Sequence, residues 1–204
     1  MSGIAIYLEG GGDGKRARNE LRLGMDAFLS DLKERARAKK MHWKLVPCGG
    51  RDEAYRAFLN AEGDNRYPIR ILLVDAEEAL TGSALEHLRR RDRWSFDEAI
   101  GNLVHLMVQT MEAWIVADPD ALAAYYGQKF NEAALPKSTN LEIVSKKSIA
   151  HGLASATRDT LKGEYHKIQH VQKLLASLSP GKVQLRRPNC ARLFDFVRES
   201  IAKA

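Results

Sequence analysis

Apolar and polar positions along this chain change period in blocks. Residues 4–8 (IAIYL) are a short apolar run closed by polar positions, which predicts a buried strand. From Gly14 to about Lys39 the apolar residues Ala17, Leu21, Met25, Phe28, Leu32 and Ala36 recur at helical spacing, which predicts one long helix with one inward face. A second strand, 43–48 (WKLVPC), ends at the Gly49-Gly50 turn, and Arg51 to Asn60 is predicted helical with Ala54, Ala57 and Phe58 inward. The run 68–77 (PIRILLVDAE) is the strongest strand, followed by a short helix from Leu80 to Arg90. Because parallel neighbours need crossovers, this β-α-β-α-β order predicts an α/β fold with a mostly parallel sheet flanked by helices.

Residues 102–127 start like a fourth strand and continue as a helix, broken near Pro119 and closed by Gly127. Beyond them the pattern is helical at 144–157 and 164–178. The stretch 179–189 (SPGKVQLRRPN) reads as a loop or edge strand, and Asn189 as the N-cap of a last helix to Ile201. The expected division is therefore an α/β core over 1–127 and a helical C-terminal extension, 128–204, packed on that core. No internal repeat or low-complexity tract interrupts it.

Composition fits a folded, soluble chain: 204 residues, 45% hydrophobic and 28% charged, enough apolar content for a core. Thirty-two Lys and Arg against 26 Asp and Glu leave +6, a balance compatible with a polyanionic partner such as nucleic acid. Two distant cysteines, Cys48 and Cys190, suggest neither a disulfide framework nor a zinc site. The six mostly apolar residues before the polar loop are too few for a secretory core segment, and no apolar run is long enough to span a membrane. A cytoplasmic protein with no membrane partner is expected.

The chemistry concentrates where the first strand ends, in EGGGDGKR (9–16). A phosphate-binding Walker loop would need glycine where Glu9 stands and a hydroxyl where Arg16 stands, and the dinucleotide pattern fails at Lys15. An acid at the head of a glycine loop suits a hard cation better, since Mg²⁺ takes carboxylates together with water and phosphate oxygens. LLVDAE places Asp75 and Glu77 at the end of another strand, two apart and thus on one side of an extended chain. If the two strands are neighbours, Glu9, Asp75 and Glu77 meet beyond their carboxyl ends, where open parallel sheets bind ligands. Otherwise they are separate solvated acids. Glu112, inside the apolar run Leu103 to Ala117, must be paired, metal-bound or facing water. Lys15, Arg18 and Arg22 share a helix face and either follow a nucleic-acid backbone or form a solvated face. Lys167 or His170 is a candidate for stabilising a phosphate, and Arg186-Arg187 reads as solvated surface.

Taken together, YLEGGGDGK, CGGR, LLVDAE, HLMVQTMEAWIVADP, YYG, KGEYHKIQH and PNCARLF resemble the bacterial family called domain of unknown function 4276 and, more loosely, TOPRIM-like (topoisomerase–primase fold) proteins of defence loci. That resemblance implies a TOPRIM-like core and a metal-dependent nuclease acting on DNA or RNA in anti-phage defence. It implies Mg²⁺ or Mn²⁺ held by Glu9, Asp75, Glu77 and Glu112, with Glu9 and Glu112 catalytic; Lys167, a candidate for the phosphate, is expected to be catalytic beside them. The glycines Gly10, Gly11 and Gly12, with Lys15, would receive the phosphate, and Arg18 and Arg22 the nucleic acid. An ATPase protein partner is implied too, homo-oligomerisation is open, and the alternative is a non-catalytic nucleic-acid-binding or regulatory partner of such an ATPase. Glu77 stands where related proteins carry aspartate.

Overall fold

Alternate residues of the first strand go to opposite faces of a sheet, and each face is covered. In the computed structural model, which describes residues 2–204, the strands are β1 (Gly3–Glu9), β2 (His42–Gly49), β3 (Ile69–Asp75) and β4 (Val104–Met107). They form one parallel sheet in the order β2-β1-β3-β4. Ile4, Ile6 and Leu8 join Ile71, Leu73 and Met107 in a core on one face, while Ala5 and Tyr7 join Leu72, Val74 and Leu106 on the other.

The second face is covered by α3 (Arg51–Asn60) and α4 (Ala84–Asp92), the latter started by a Ser83–Glu86 capping box. The first face carries α1 (Lys15–Phe28), α2 (Ser30–Ala38), α5 (Glu112–Val116), α6 (Pro119–Tyr126), α7 (Lys146–Thr157), α8 (Lys167–Ser177), α9 (Pro180–Arg186) and α10 (Pro188–Lys203). Phe28 of α1 lies 5.5 Å from Trp114 of α5 and 5.7 Å from Phe194 of α10, ring centre to ring centre. Each of these three side chains is at most 1% exposed, so each contributes on the order of 2–3 kcal/mol of apolar burial to joining the chain's two ends.

Several local expectations change. The helix expected from Leu80 to Arg90 is α4, which starts four residues later, at Ala84 after its Ser83 cap, and runs to Asp92. The single helix 14–39 is two, because Leu29 leaves helical geometry (φ −94°, ψ 15°) and turns fully into the core. The stretch 179–189 is mostly α9: Pro180 sits in the first turn, where no N–H is needed, and Val183 is buried. The last helix begins at Pro188, and Asn189 is not its cap. The Glu142 carboxylate instead accepts from the backbone N–H and the side-chain amide of Asn189, both at 2.7 Å, placing an anion at that helix start. Helix α8 starts at Lys167, three residues later than 164, capped by His166.

Helix α8 packs directly on α1 at Gly24. A Cβ built there would lie 2.9 Å from both Cα and O of Gln172 and 3.1 Å from Cβ of Leu175. Gly24→Ala is therefore expected to push the helices apart and lower stability by about 1–3 kcal/mol in urea unfolding. An unchanged midpoint would show that the two helices slide freely at this contact.

Candidate functional site

The strand order reverses direction between β1 and β3, and Glu9 and Asp75 end those two neighbouring strands. Glu9 Oε2 accepts from the Asp75 backbone N–H at 3.0 Å and from Arg51 Nη1 at 3.1 Å. Arg51, at the start of α3, also donates to the Asp75 carbonyl and to Asp92, both at 2.8 Å. Asp75 is 5% exposed; its Oδ1 accepts the Met111 N–H at 2.8 Å, and Thr110 Oγ1 stands 3.5 Å from Oδ2.

Glu77 arrives by a different route from the expected one. Strand β3 stops at Asp75 and Glu77 has φ +69°, so the two acids are not same-side residues of one extended segment. The Glu77 N–H donates to the Gln109 carbonyl at 2.6 Å, which turns the chain back. The outcome is the same convergence: Glu9, Asp75 and Glu77 each offer an oxygen within 4.8 Å of the others. Glu112 lies outside this group. Its carboxylate accepts from the Thr110 hydroxyl, from Tyr165 Oη at 3.3 Å and from Lys167 Nζ at 3.3 Å.

The charges are partly balanced by the protein itself. Arg51 pairs with Glu9, Lys146 with Glu77 and Lys167 with Glu112, while Lys167 stands 4.0 Å from Asp75. Two of the three acids, Glu9 and Glu77, are thus compensated by direct ion pairs. Asp75 is the exception: burial, opposed by Lys167 and reinforced by Glu9, Glu112 and Glu77, pushes its carboxyl up to about 7. Burial also raises Glu9, with Arg51 pulling the other way. Glu112 is raised by burial too, but Lys167 and the Thr110 hydroxyl outweigh that and leave it below the usual range. Burial works against the Lys167 charge, yet Glu112 and Asp75 hold its ammonium above its ordinary value.

The glycine loop turns through three successive left-handed residues, Gly10, Gly11 and Gly12. A Cβ on Gly11 would sit 2.7 Å from the Arg18 Cα, so α1 can lie this close only to glycine. Gly10 spends its N–H on the Gly49 carbonyl at 2.8 Å, which leaves Gly11 and Gly12 as the loop's candidates for an anion. Of the three basic residues on α1, Arg18 donates back to the Asp13 carbonyl at 3.1 Å and Arg22 to Asn19 at 2.9 Å. Lys15 is exposed in the first turn of a helix that has no acidic residue there. Glu9, Asp75, Lys167 and the three glycines border one cleft of ≈310 Å³.

A family model described as domain of unknown function (DUF4276) matches residues 8–198. The chain belongs to the DUF4276 family. No curated protein and no solved structure matches it. The DUF4276 match starts one residue before Glu9 and ends inside α10, so every site residue above lies within it.

Sequence reasoning missed several contributors. Arg51 was visible only as the last letter of CGGR, and Thr110, Tyr165 and Lys146 carry no signal of their own. Arg186 and Arg187 are not solvated surface: Arg186 donates to the carbonyls of Pro136 and Ser138, and Arg187 is fully buried. Among the described residues no helix is long and apolar enough to cross a membrane.

Asp75 gives the site a pH signature. Its carboxyl titrates near 7 when folded, against an ordinary 3.8, so its stabilising contribution is whole below about pH 4 and is lost as pH rises through 7. In chelator-treated protein, Asp75→Asn should therefore raise the melting temperature over wild type by about 5 °C at pH 8, with a much smaller gain at pH 5. Equal shifts at the two pH values would show that Asp75 is not held in an under-compensated environment.

Proposed function

We propose that this DUF4276 protein hydrolyses phosphodiester bonds in nucleic acid, with a divalent cation, Mg²⁺ or Mn²⁺, held by Glu9, Asp75 and Glu77. The observation that carries this reading is Asp75: a buried carboxylate with two more carboxylates within 4.8 Å and its nearest side-chain cation 4.0 Å away. The donor set fits the ion, being hard oxygens only. Once bound, the cation supplies neutralisation of phosphoryl charge and an activated water.

The chain's own groups supply the rest. Gly11 and Gly12 with the α1 N-terminus orient a phosphate. Glu9, raised by burial, is suited to accept the proton of the attacking water. As the water oxygen forms its bond to phosphorus, the bond to the leaving oxygen breaks, and the Lys167 ammonium donates the proton that oxygen needs. Glu112, Thr110 and Tyr165 position Lys167. The TOPRIM-like resemblance supports this reading and adds a role in bacterial anti-phage defence beside an ATPase.

A second reading has an observation of its own. Arg51 and Lys146 already pair with two of the three acids, as they would in a binding or regulatory module that needs no metal. Calorimetry separates the two. The nuclease reading expects Mg²⁺ or Mn²⁺ binding that is lost in both Glu9→Gln and Asp75→Asn and weakens about fivefold from pH 7 to pH 6, because Asp75 must release its proton. It further expects cleavage of nucleic acid reduced at least 100-fold in both variants. A folded wild type that binds neither ion, alone or with nucleic acid, would replace it with the module.

A further inference from the structure

The cleft that holds Glu9, Asp75 and Lys167 has a second wall that phosphoryl chemistry does not use. Ala17 and Leu21 of α1, Met107 at the end of β4, Met111 just before α5, and Ile168 and Val171 of α8 line it. Neither a phosphate nor a sugar gains from six apolar side chains. The wall is also graded in depth: Leu21, Met107 and Met111 are at most 2% exposed, whereas Ile168 is 54% exposed at the rim. A base inside a duplex is stacked on both faces and cannot reach that floor, whereas a base that has left its stack can. Apolar side chains suit contact with the flat face of a base, and the whole cleft, at ≈310 Å³, is at the small end of ligand cavities, room for about one nucleotide. A second cleft of ≈460 Å³, bordered by Glu112, Lys146 and Tyr165, lies against the same Lys167 and gives a strand room to continue.

We propose that this apolar wall is a slot for one unpaired base of a single-stranded nucleic acid, seated next to the phosphate at the acidic cluster. The inference rests on the hydrolytic reading for where the phosphate sits, and it assigns the substrate class: unpaired strands, with duplexes rejected.

Binding can be read without cleavage, in Ca²⁺, by calorimetry. The probes are a ten-nucleotide single strand, the same sequence as a duplex, adenosine 5′-monophosphate and ribose 5-phosphate. The slot predicts that the mononucleotide binds at least tenfold tighter than the sugar phosphate, that the single strand binds tighter still, and that the duplex binds at least tenfold weaker than the strand. Ala17→Leu and Ile168→Gln, both uncharged changes at partly exposed helix positions, should abolish the advantage of the base while leaving the affinity for Ca²⁺ alone unchanged. Equal binding of mononucleotide and sugar phosphate, binding of neither, or an intact advantage in both variants would overturn the slot. Duplex binding as tight as single-strand binding, or a mononucleotide as tight as the strand, would overturn the assignment to unpaired strands. Loss of the base advantage with cation binding intact leaves the hydrolytic reading standing. A base advantage that persists in the absence of any cation binding removes that reading and leaves the slot.

Discussion

Arg51 is the contact on which the site's geometry depends. One guanidinium, largely buried, reaches Glu9 at the end of β1, the carbonyl of Asp75 at the end of β3 and Asp92 at the end of α4. It therefore joins three elements that the sheet alone does not hold in register beyond Leu8 and Leu73, where the β1–β3 pairing ends. Charge-assisted hydrogen bonds of this kind are short and directional, so they fix where Glu9 points as well as its charge. With Arg51 removed, Asp92 would keep Arg91, but Glu9 would be left largely buried without the cation that pairs with it, which is costly. Beyond the Leu8–Leu73 pair, the Glu9–Asp75 N–H bond would still link the ends of β1 and β3.

That arrangement also explains why Asp75 differs from its neighbours. Glu9, Glu77 and Glu112 each have a cation within 3.3 Å or in direct contact, and each cation comes from a different helix. Asp75 sits at the centre, where the Met111 N–H reaches one oxygen and the Thr110 hydroxyl, whose proton goes to Glu112, stands 3.5 Å from the other, so neither supplies a full charge. Hydrogen bonds lower the energy of a buried carboxylate, but less than a cation in direct contact does. The centre of the cluster is thus the place where one more positive charge gains most.

The parts of this site that lay in the sequence were those carried by strand ends. Hydrophobic runs ending in Glu9 and Asp75 marked two strands but not that they are neighbours; because parallel strands align their carboxyl ends, the acids converge once the fold pairs those strands. Glu77 was placed correctly for an incorrect reason: alternation in an extended chain does not apply past Asp75, and a hydrogen bond to Gln109, thirty-two residues away, does the positioning. Helix breaks were less legible, since Leu29 keeps helical spacing in the sequence while leaving helical geometry in the fold. Gly and Pro in 179–189 signalled a loop, yet a proline in the first turn is compatible with a helix. Arg51 and Thr110 escaped notice because their importance is defined by partners distant in sequence, which no periodicity reports.

The C-terminal helices do more than cover the sheet. Lys167 is the first residue of α8, and Ile168 and Val171 follow it on the face toward the cleft. Their position depends on α8 seating against α1 at Gly24, and α1 in turn begins at the glycine loop. The cation beside the acids, the apolar wall and the loop are therefore set by one helix pair. Moving α8 by the width of a methyl group would displace Lys167 from Glu112 and alter the wall together, so charge and shape at this site are coupled through packing far from either. Residues near opposite ends of the chain thus form a single site, and Phe28, Trp114 and Phe194, packed ring to ring in the core, hold those ends together.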